Sequence, residues 1–482
     1  MSGSGDPDPD RDSCRPTRYR GGRRSGYCLA FLLALLAGYG TMSTPGLIGR
    51  WGASAPGFAM LAVWLAAAAL AVPLAGRRPS LAMLGLLAAV ALAMRIAVAA
   101  CFAGRVPGGD ALYYLTLAGN ILGGRGFEVY EPYIGSTLHA LYPPAYALLL
   151  SGWIACAGAS TASLVTLNIL IDGAAAAMIC RIGVTIGRPG GARAAAWLYL
   201  LWPAVLLSAP LAQKESFCTL LVLILAHEWL IVATRQGIPL RSVAIIGAAA
   251  GLLALTQPGQ APLAALFGLV LAPLLPIRRI AAIGLAAMPV AALILVPWWV
   301  RNWLVLGAFV PLTSTAPIGL WIGNNPGTTG NWMPPPPALR GLPELEYGRA
   351  IGAIARQWIV THPAEFVRLT LTKFLRAVGV GQAGVSRLSG MTPHPSPALL
   401  ALLFPTAQLT QVLLLGGSAV GVFRLSSAVR VLLLLLVACL LQLVLFGVWF
   451  EFSERHRDFM TPFLLLIICC ADWRRRRPRA IG

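Results

Sequence analysis

The sequence predicts an all-α integral membrane protein, and three observations lead there. Hydrophobic residues make up 57% of the 482 and charged ones only 11%, against about 25% charged in an ordinary soluble domain. Mean hydropathy is +0.74. Twelve apolar runs approach the length of ~20 residues that a spanning helix needs. The first two observations exclude a water-soluble multidomain enzyme. The third sets the expected architecture, a bundle of about twelve transmembrane helices.

The runs follow one another from the N-terminus. Residues 1–26, rich in Gly, Ser, Pro, Asp and Arg with no apolar period, read as a disordered tail. Spans are then expected near 27–48, 56–75, 80–103, 162–182, 194–211 and 217–234. The remaining six lie near 240–256, 261–276, 280–300, 398–421, 431–450 and 459–472. The run 27–48 follows arginines as a signal peptide does, but it lacks a clear small-residue cleavage site and is taken as an uncleaved span.

Arginines orient the bundle. With the tail inside, the inside loops hold Arg77 and Arg78, then Arg181, Arg188 and Arg193, then Arg235 and Arg241. They continue with Arg278 and Arg279, Arg424 and Arg430, and Arg474 to Arg477 with Arg479. This is the positive-inside pattern, and it leaves both termini cytoplasmic. The net charge of +20, from 37 Lys+Arg against 17 Asp+Glu, is therefore largely an orientation signal and does not point to nucleic acid.

A further apolar run, 142–158, would reverse every later loop if it spanned. It reads as a re-entrant or surface helix opened by Pro143 and Pro144. The chain then divides into the tail 1–26, a hairpin 27–79, a membrane core 80–300 with outer loop 104–141, an outer region 301–397, helices 398–472 and a basic tail 473–482. Within 301–397, residues 344–361 and 364–380 read as amphipathic helices broken at His362-Pro363, resting on the membrane surface. Nine scattered cysteines with no C-x-x-C pair imply neither a disulfide framework nor a zinc site.

Charges that a bilayer should exclude are the candidates for chemistry. Asp110 opens a helix just outside a span and fits either an N-cap or a catalytic base with Tyr113 and Tyr114 one turn later. Glu215, beside Lys214, falls on the same side, as an interfacial ion pair or a second acid. Asp172 lies within a span one turn after Asn168 and reads as a bundle-facing, hydrogen-bonded residue. Arg95 snorkels from its span or meets an anion. Arg301, after Pro297-Trp298-Trp299, and Arg455, His456 and Arg457 lie outside against the positive-inside trend. They suit a bound anion, or are neutralised by Glu451, Glu454 and Asp458. The stretch Leu320 to Gly327, with Asn324 and Asn325, reads as a turn.

Together these pieces resemble one family. Arg95, Asp110 with Tyr113 and Tyr114, Tyr142-Pro143-Pro144, Lys214-Glu215, Pro297 to Asn302, Ile322-Gly323-Asn324-Asn325-Pro326, His362-Pro363 and Arg455-His456-Arg457 resemble the GT-C glycosyltransferases of the protein mannosyltransferase and aminoarabinose transferase type, in order, over roughly 80–472. The resemblance implies transfer of a sugar, usually with inversion, from a polyprenyl-phosphate donor to a lipid, glycan or protein acceptor outside the membrane. It implies Asp110 as the base and Glu215 as a second acid. Lys214, Arg95, Arg301, Arg455 and Arg457 become candidate partners of the donor phosphate, and Tyr113, Tyr114, His456, Asn324 and Asn325 candidate substrate contacts. The spans 27–48 and 56–75 precede the family's first helix. No acid lies immediately beside Asp110, so a divalent cation stays an open question. A bacterial inner membrane is the implied location. Two other classes compete: a transporter using Asp172 and Arg95 as pathway charges, and a glycan polymerase or ligase with a lipid-diphosphate donor.

Overall fold

The computed structural model describes residues 23–76 and 80–473. The tail residues 1–22, the loop arginines Arg77 and Arg78, and Arg474 to Arg477 with Arg479 lie outside the described residues. The chain begins with α1 (Arg23–Trp51), α2 (Ala55–Gly76) and α3 (Leu81–Cys101). After α3 come α4 (Asp110–Leu122) and a hairpin of β1 (Val129–Glu131) and β2 (Ser136–Leu138), antiparallel with Tyr130 opposite Thr137. Then follow α5 (Pro144–Ala157), α6 (Thr161–Thr185), α7 (Pro189–Leu200), α8 (Pro203–Ser208), α9 (Glu215–Thr234), α10 (Leu240–Ala254), α11 (Leu263–Val270) and α12 (Ile277–Leu306). The outer region carries α13 (Ala316–Gly323), α14 (Glu344–Thr361), α15 (Pro363–Gly379) and α16 (Ala383–Ser389). The chain returns through α17 (Pro397–Arg424), α18 (Val431–Gln442) and α19 (Thr461–Cys470).

Among the described residues, seven helices are long and apolar enough to cross a membrane: α1, α2, α3, α6, α9, α12 and α17. They divide by environment. In α9, 72% of the most apolar window is buried within the protein, whereas in α2, α3 and α12 only 17 or 18% is. A helix hydrophobic all round belongs inside, and α9 lies at the centre with Leu221, Leu225 and Trp229 in the main core. The apolar surface left open on α2, α3 and α12 is what acyl chains would cover. Where α6 meets α7 the approach is close: a Cβ on Gly183 would sit 1.9 Å from that of Ala192, so only glycine fits, as at small-residue contacts between membrane helices.

The other five expected spans are corrected in length. Run 194–211 is two helices, because Pro203 has no N–H to donate and its ring clashes with the preceding turn. Run 240–256 gives the 15 residues of α10, and 261–276 only the eight of α11. Run 431–450 is the 12 residues of α18 followed by a π-helical turn, Leu443–Gly447. Run 459–472 is the 10 residues of α19 after a 3₁₀ segment, Glu454–Met460. The helix at 142–158 is α5, whose 14 residues rise about 21 Å, short of a ~30 Å hydrocarbon layer. It packs on α4 and α6 with Tyr146, Ala147 and Leu150 fully buried. The amphipathic helices expected in the outer region are present as α14 and α15.

The break at Pro203 frees backbone carbonyls inside an apolar bundle, and side chains satisfy them. The Trp64 indole donates to Leu201 O at 2.7 Å, and Arg95 Nη1 donates to Leu200 O at 2.8 Å. Arg95 also pairs with Asp172 Oδ2 at 3.1 Å, both side chains about 2% exposed or less. This corrects two expectations. Arg95 does not snorkel outward, and Asp172 has a charged partner in place of Asn168, whose amide donates to Ala209 O and Leu211 O. The proposed pathway charges of a transporter thus neutralise each other and cap a broken helix.

Replacing Asp172 with Ala strands the Arg95 guanidinium, and breaking a buried pair from one side costs about 3–5 kcal/mol. The expected outcome is a large drop in the thermal midpoint of the purified protein in detergent. Arg95→Leu combined with Asp172→Leu should lose less than Asp172→Ala alone.

Candidate active site

The site forms where four distant parts of the chain meet at one end of the bundle. Gly109 has φ +57°, a conformation that favours glycine, and it occupies the N-cap of α4. Asp110 therefore is not the cap, and its carboxylate is free to bond elsewhere. Tyr142 sits in a bend before Pro143-Pro144, and its hydroxyl donates to Asp110 Oδ1 at 3.0 Å. Arg455 Nη1 reaches Asp110 Oδ2 at 2.5 Å. The same guanidinium stands 3.7 Å from Glu451 and 4.0 Å from Glu215.

Lys214 and Glu215 come together because they start α9. The Lys214 ammonium sits 5.6 Å above the Tyr114 ring, a cation–π position. Behind them Arg387 of α16 lies 3.8 Å from Glu215 and 3.7 Å from Asp458, and donates to Ser208 Oγ at 2.8 Å. Tyr142 stacks on Tyr113 at 5.4 Å and meets Tyr114 edge-on at 5.2 Å. The cluster thus has four carboxyl groups, Asp110, Glu215, Glu451 and Asp458, facing three cations, Lys214, Arg387 and Arg455.

Burial alone would raise the Asp110 pKa. Arg455, Lys214 and the Tyr142 hydrogen bond together outweigh it and hold the carboxyl at about 2. Asp110 and Arg455 keep 22% and 20% of their side-chain surface exposed, so the pair lies at an open edge, and the two cations with the Tyr142 bond set the downward direction. Glu451 goes the other way, because burial dominates over Arg455. Asp458 is pushed up to about 6 by burial, opposed by Arg387 and Arg457. His456 is held well below its ordinary value, first by burial and then by Arg455 and Lys214. It is therefore a neutral ring, its Nδ1 accepting from Ser453 N at 3.2 Å.

Of the residues singled out in the sequence, Asp110, Glu215, Lys214, Arg455, Tyr113 and Tyr114 share this cluster. The Tyr113 hydroxyl donates to Glu131. Others are engaged elsewhere. Arg301 donates to His139 O and Phe127 O, both at 2.6 Å, beside the Trp298 ring. Arg457 is buried and donates to Ala377 O and Val380 O, both at 2.6 Å. Arg95 belongs to the Asp172 pair. Asn324 and Asn325 are buried, their amides donating to Leu320 O and Trp449 O, and to Trp321 O. Arg301, Arg457, Arg95, Asn324 and Asn325 thus hold segment ends together. Arg387 and Tyr142 are the cluster members that the site reading of the sequence missed. Arg387 breaks the positive-inside trend, but so do several other arginines of 301–397.

A divalent cation finds no donor set here. Among the described residues no group of three His, Cys, Asp or Glu side chains could hold a metal ion, and the acids around Asp110 already face Lys214, Arg387 and Arg455. What the arrangement offers is the ionised Asp110 carboxylate beside two cations, Lys214 and Arg455, and a wall of Tyr113 and Tyr142 backed by the buried Tyr114.

The Asp110–Arg455 pair sets a testable pH dependence. Because the folded-state pKa lies below the usual 3.8, the pair's stabilisation is complete above about pH 4 and is lost as pH falls through about 2. In Arg455→Met the Asp110 carboxyl should titrate about one to two units higher. Infrared titration of the protonated carboxyl band reads this, with Arg455→Met combined with Asp110→Asn as the control that removes the band.

No family model matches the chain, and no curated protein matches it in sequence. Its structure is similar to solved structures of the oligosaccharyltransferase from the archaeon Archaeoglobus fulgidus. With the complex of oligosaccharyltransferase AglB with an inhibitory peptide and a dolichol-phosphate, the TM-score is 0.43 and identity 14%, over 79% of this chain and 50% of that one. With the apo form the TM-score is 0.46 and identity 14%, over the same shares. With the form tethered to an acceptor peptide the TM-score is 0.44 and identity 14%, over 79% and 49%. The chain thus spans about half the length of these oligosaccharyltransferase chains.

Proposed function

We propose that the chain is a membrane glycosyltransferase of the GT-C type, transferring a sugar from a polyprenyl-phosphate donor to an acceptor hydroxyl on the extracytoplasmic face. The observation that carries the reading is the Asp110 carboxylate, ionised, partly open and paired with Arg455 at 2.5 Å at the end of an apolar helix bundle. A base and a cation side by side are what the reaction needs. The acceptor oxygen attacks the anomeric carbon, the bond from that carbon to the phosphate oxygen breaks, the hydroxyl proton passes to Asp110, and polyprenyl phosphate leaves.

A carboxylate of pKa about 2 is a poor base toward a resting hydroxyl. It becomes adequate once the new C–O bond has formed far enough to acidify that proton, so Asp110 accepts it late. The donor is a phosphodiester with one negative charge and the leaving group gains a second. Lys214 and Arg455 are the cations beside Asp110 that would meet this developing charge. Glu215 orients the acceptor from the start of α9, and the Tyr113 and Tyr142 rings form an apolar wall for the sugar, backed by the buried Tyr114. The twelve-span topology, cytoplasmic termini and a bacterial inner membrane belong to the same proposal. Under it the five short or broken runs complete the bundle as half-spans whose irregular backbone is buried in protein.

The test is transfer of labelled sugar from a polyprenyl-phosphate donor by the full chain in proteoliposomes. Asp110→Asn should lower the rate about a hundred- to ten-thousand-fold, while Lys214→Met should lower both kcat and kcat/KM. Full transfer by Asp110→Asn would remove it as the base. Transfer from a lipid-diphosphate donor alone would make the chain a polymerase or ligase, and solute uptake without transfer would make it a transporter.

A further inference from the structure

A second concave surface lies in the outer region, a groove of about 670 Å³ between the turn 325–329 and the α14–α15 junction. Its volume falls within that of ordinary small-molecule pockets, about 300–1,000 Å³. Glu365, Arg368, Leu369, Thr372 and Arg376 line it from one face of α15, at spacings of three and four residues. At its edge the Trp358 and His362 rings stack at 5.6 Å with 12° between planes, a flat platform created because Pro363 ends one helix and starts the next. Two arginines face one glutamate. Arg368 is exposed and has no partner among the described residues.

The groove adjoins the Asp110 cluster through its own walls. Arg376 Nη1 donates to Thr329 O at 2.7 Å and its Nη2 to Phe452 O at 3.1 Å. One turn earlier, Lys373 is fully buried, and its ammonium donates to Gly323 O at 3.2 Å, Asn324 Oδ1 at 3.3 Å and Phe450 O at 3.2 Å. Both cations clamp the groove's turn against residues 450–452, which flank Glu451, the acid 3.7 Å from Arg455. Glu451 feels the charge of Arg376 on one side and of Asp110 on the other.

We infer that this groove is the acceptor subsite and that it takes an anionic sugar, one ring stacked on Trp358 with a phosphate or carboxylate on Arg368. The inference rests on the glycosyltransferase reading for the word acceptor; the binding chemistry does not. A guanidinium without a carboxylate partner favours a phosphate or carboxylate over a neutral hydroxyl. A flat aromatic edge favours a ring over a free ion. The two features together select a charged saccharide over either part alone.

The experiment measures binding of glucose 1-phosphate, glucose and inorganic phosphate to the purified full chain in detergent, by saturation-transfer NMR, with no lipid donor present. Glucose 1-phosphate should bind more tightly than glucose or phosphate. Arg368→Gln and Trp358→Ala should each weaken it about tenfold, near 1.4 kcal/mol, and Asp110→Asn should leave it unchanged. Arg368 is exposed, so its variant tests binding and not folding. Equal binding of all three probes, or glucose 1-phosphate binding that survives Arg368→Gln, overturns the inference; so does binding lost in Lys214→Met, which would locate the probe at the Asp110 cluster. If sugar transfer is never found while Arg368-dependent binding persists, the glycosyltransferase reading fails and the groove stands as a saccharide site without the acceptor role. If transfer occurs and Arg368→Gln transfers to phosphorylated acceptors at the full rate, the groove fails and the reading stands.

Discussion

The Arg455 guanidinium is the interaction on which the site depends. It joins the start of α4 through Asp110, the start of α9 through Glu215 and the 450s loop through Glu451. No two of those segments are neighbours in sequence, and three carboxylates at one place would repel each other without a cation between them. Arg387 performs the same service one layer deeper, between Glu215 and Asp458. Glu215 therefore belongs to both layers, and its position at the first turn of α9 fixes the distance between them.

The second constraint is that backbone groups inside an apolar bundle need partners. It explains residues that look chemical in sequence and prove structural in space. Arg95 takes the carbonyl freed at Leu200 by the Pro203 break. Gln442, at the end of α18 before its π-turn, donates to Gly259 O at 2.7 Å, beside the irregular turn that precedes α11. Lys373, Arg376 and Arg457 together donate to seven oxygens, six of them backbone carbonyls, at segment ends. Breaks in helices and buried cations are thus two sides of one requirement, and it is through these breaks that the loops carrying the site are held in place.

This is also why legibility in the sequence was uneven. Hydropathy finds apolar runs, so α1, α2, α3, α6, α9, α12 and α17 were readable. It does not say whether a run is one continuous helix, and at 194–211 the only sign was Pro203. Asp110 was readable as a candidate, but its two readings separated only when Gly109 took the cap position. Arg455 and Arg457 stand two residues apart and looked equivalent. On a 3₁₀ turn, with three residues per turn, side chains at i and i+2 point to different sides, so one reaches Asp110 while the other reaches Ala377 and Val380. The charge of a residue is written in the sequence; the partner that uses it is not.

The charge balance of the cluster argues for which state receives a donor. With every group ionised, four carboxylates outnumber three cations by one, and an approaching phosphodiester would meet a net negative site. Burial favours the neutral form of Glu451 and brings Asp458 to about 6, so uptake of one proton by either makes the site neutral and uptake by both makes it positive. Asp110 is excluded from this adjustment because Arg455 and Lys214 keep it ionised. Under the proposed transfer, the cluster accommodates an incoming anion by protonating Glu451 or Asp458, while Asp110 stays charged. The geometry agrees with that division: Asp110 has the 2.5 Å contact and the Tyr142 hydrogen bond, Glu451 stands 3.7 Å from the same guanidinium, and Asp458 lies behind Arg387.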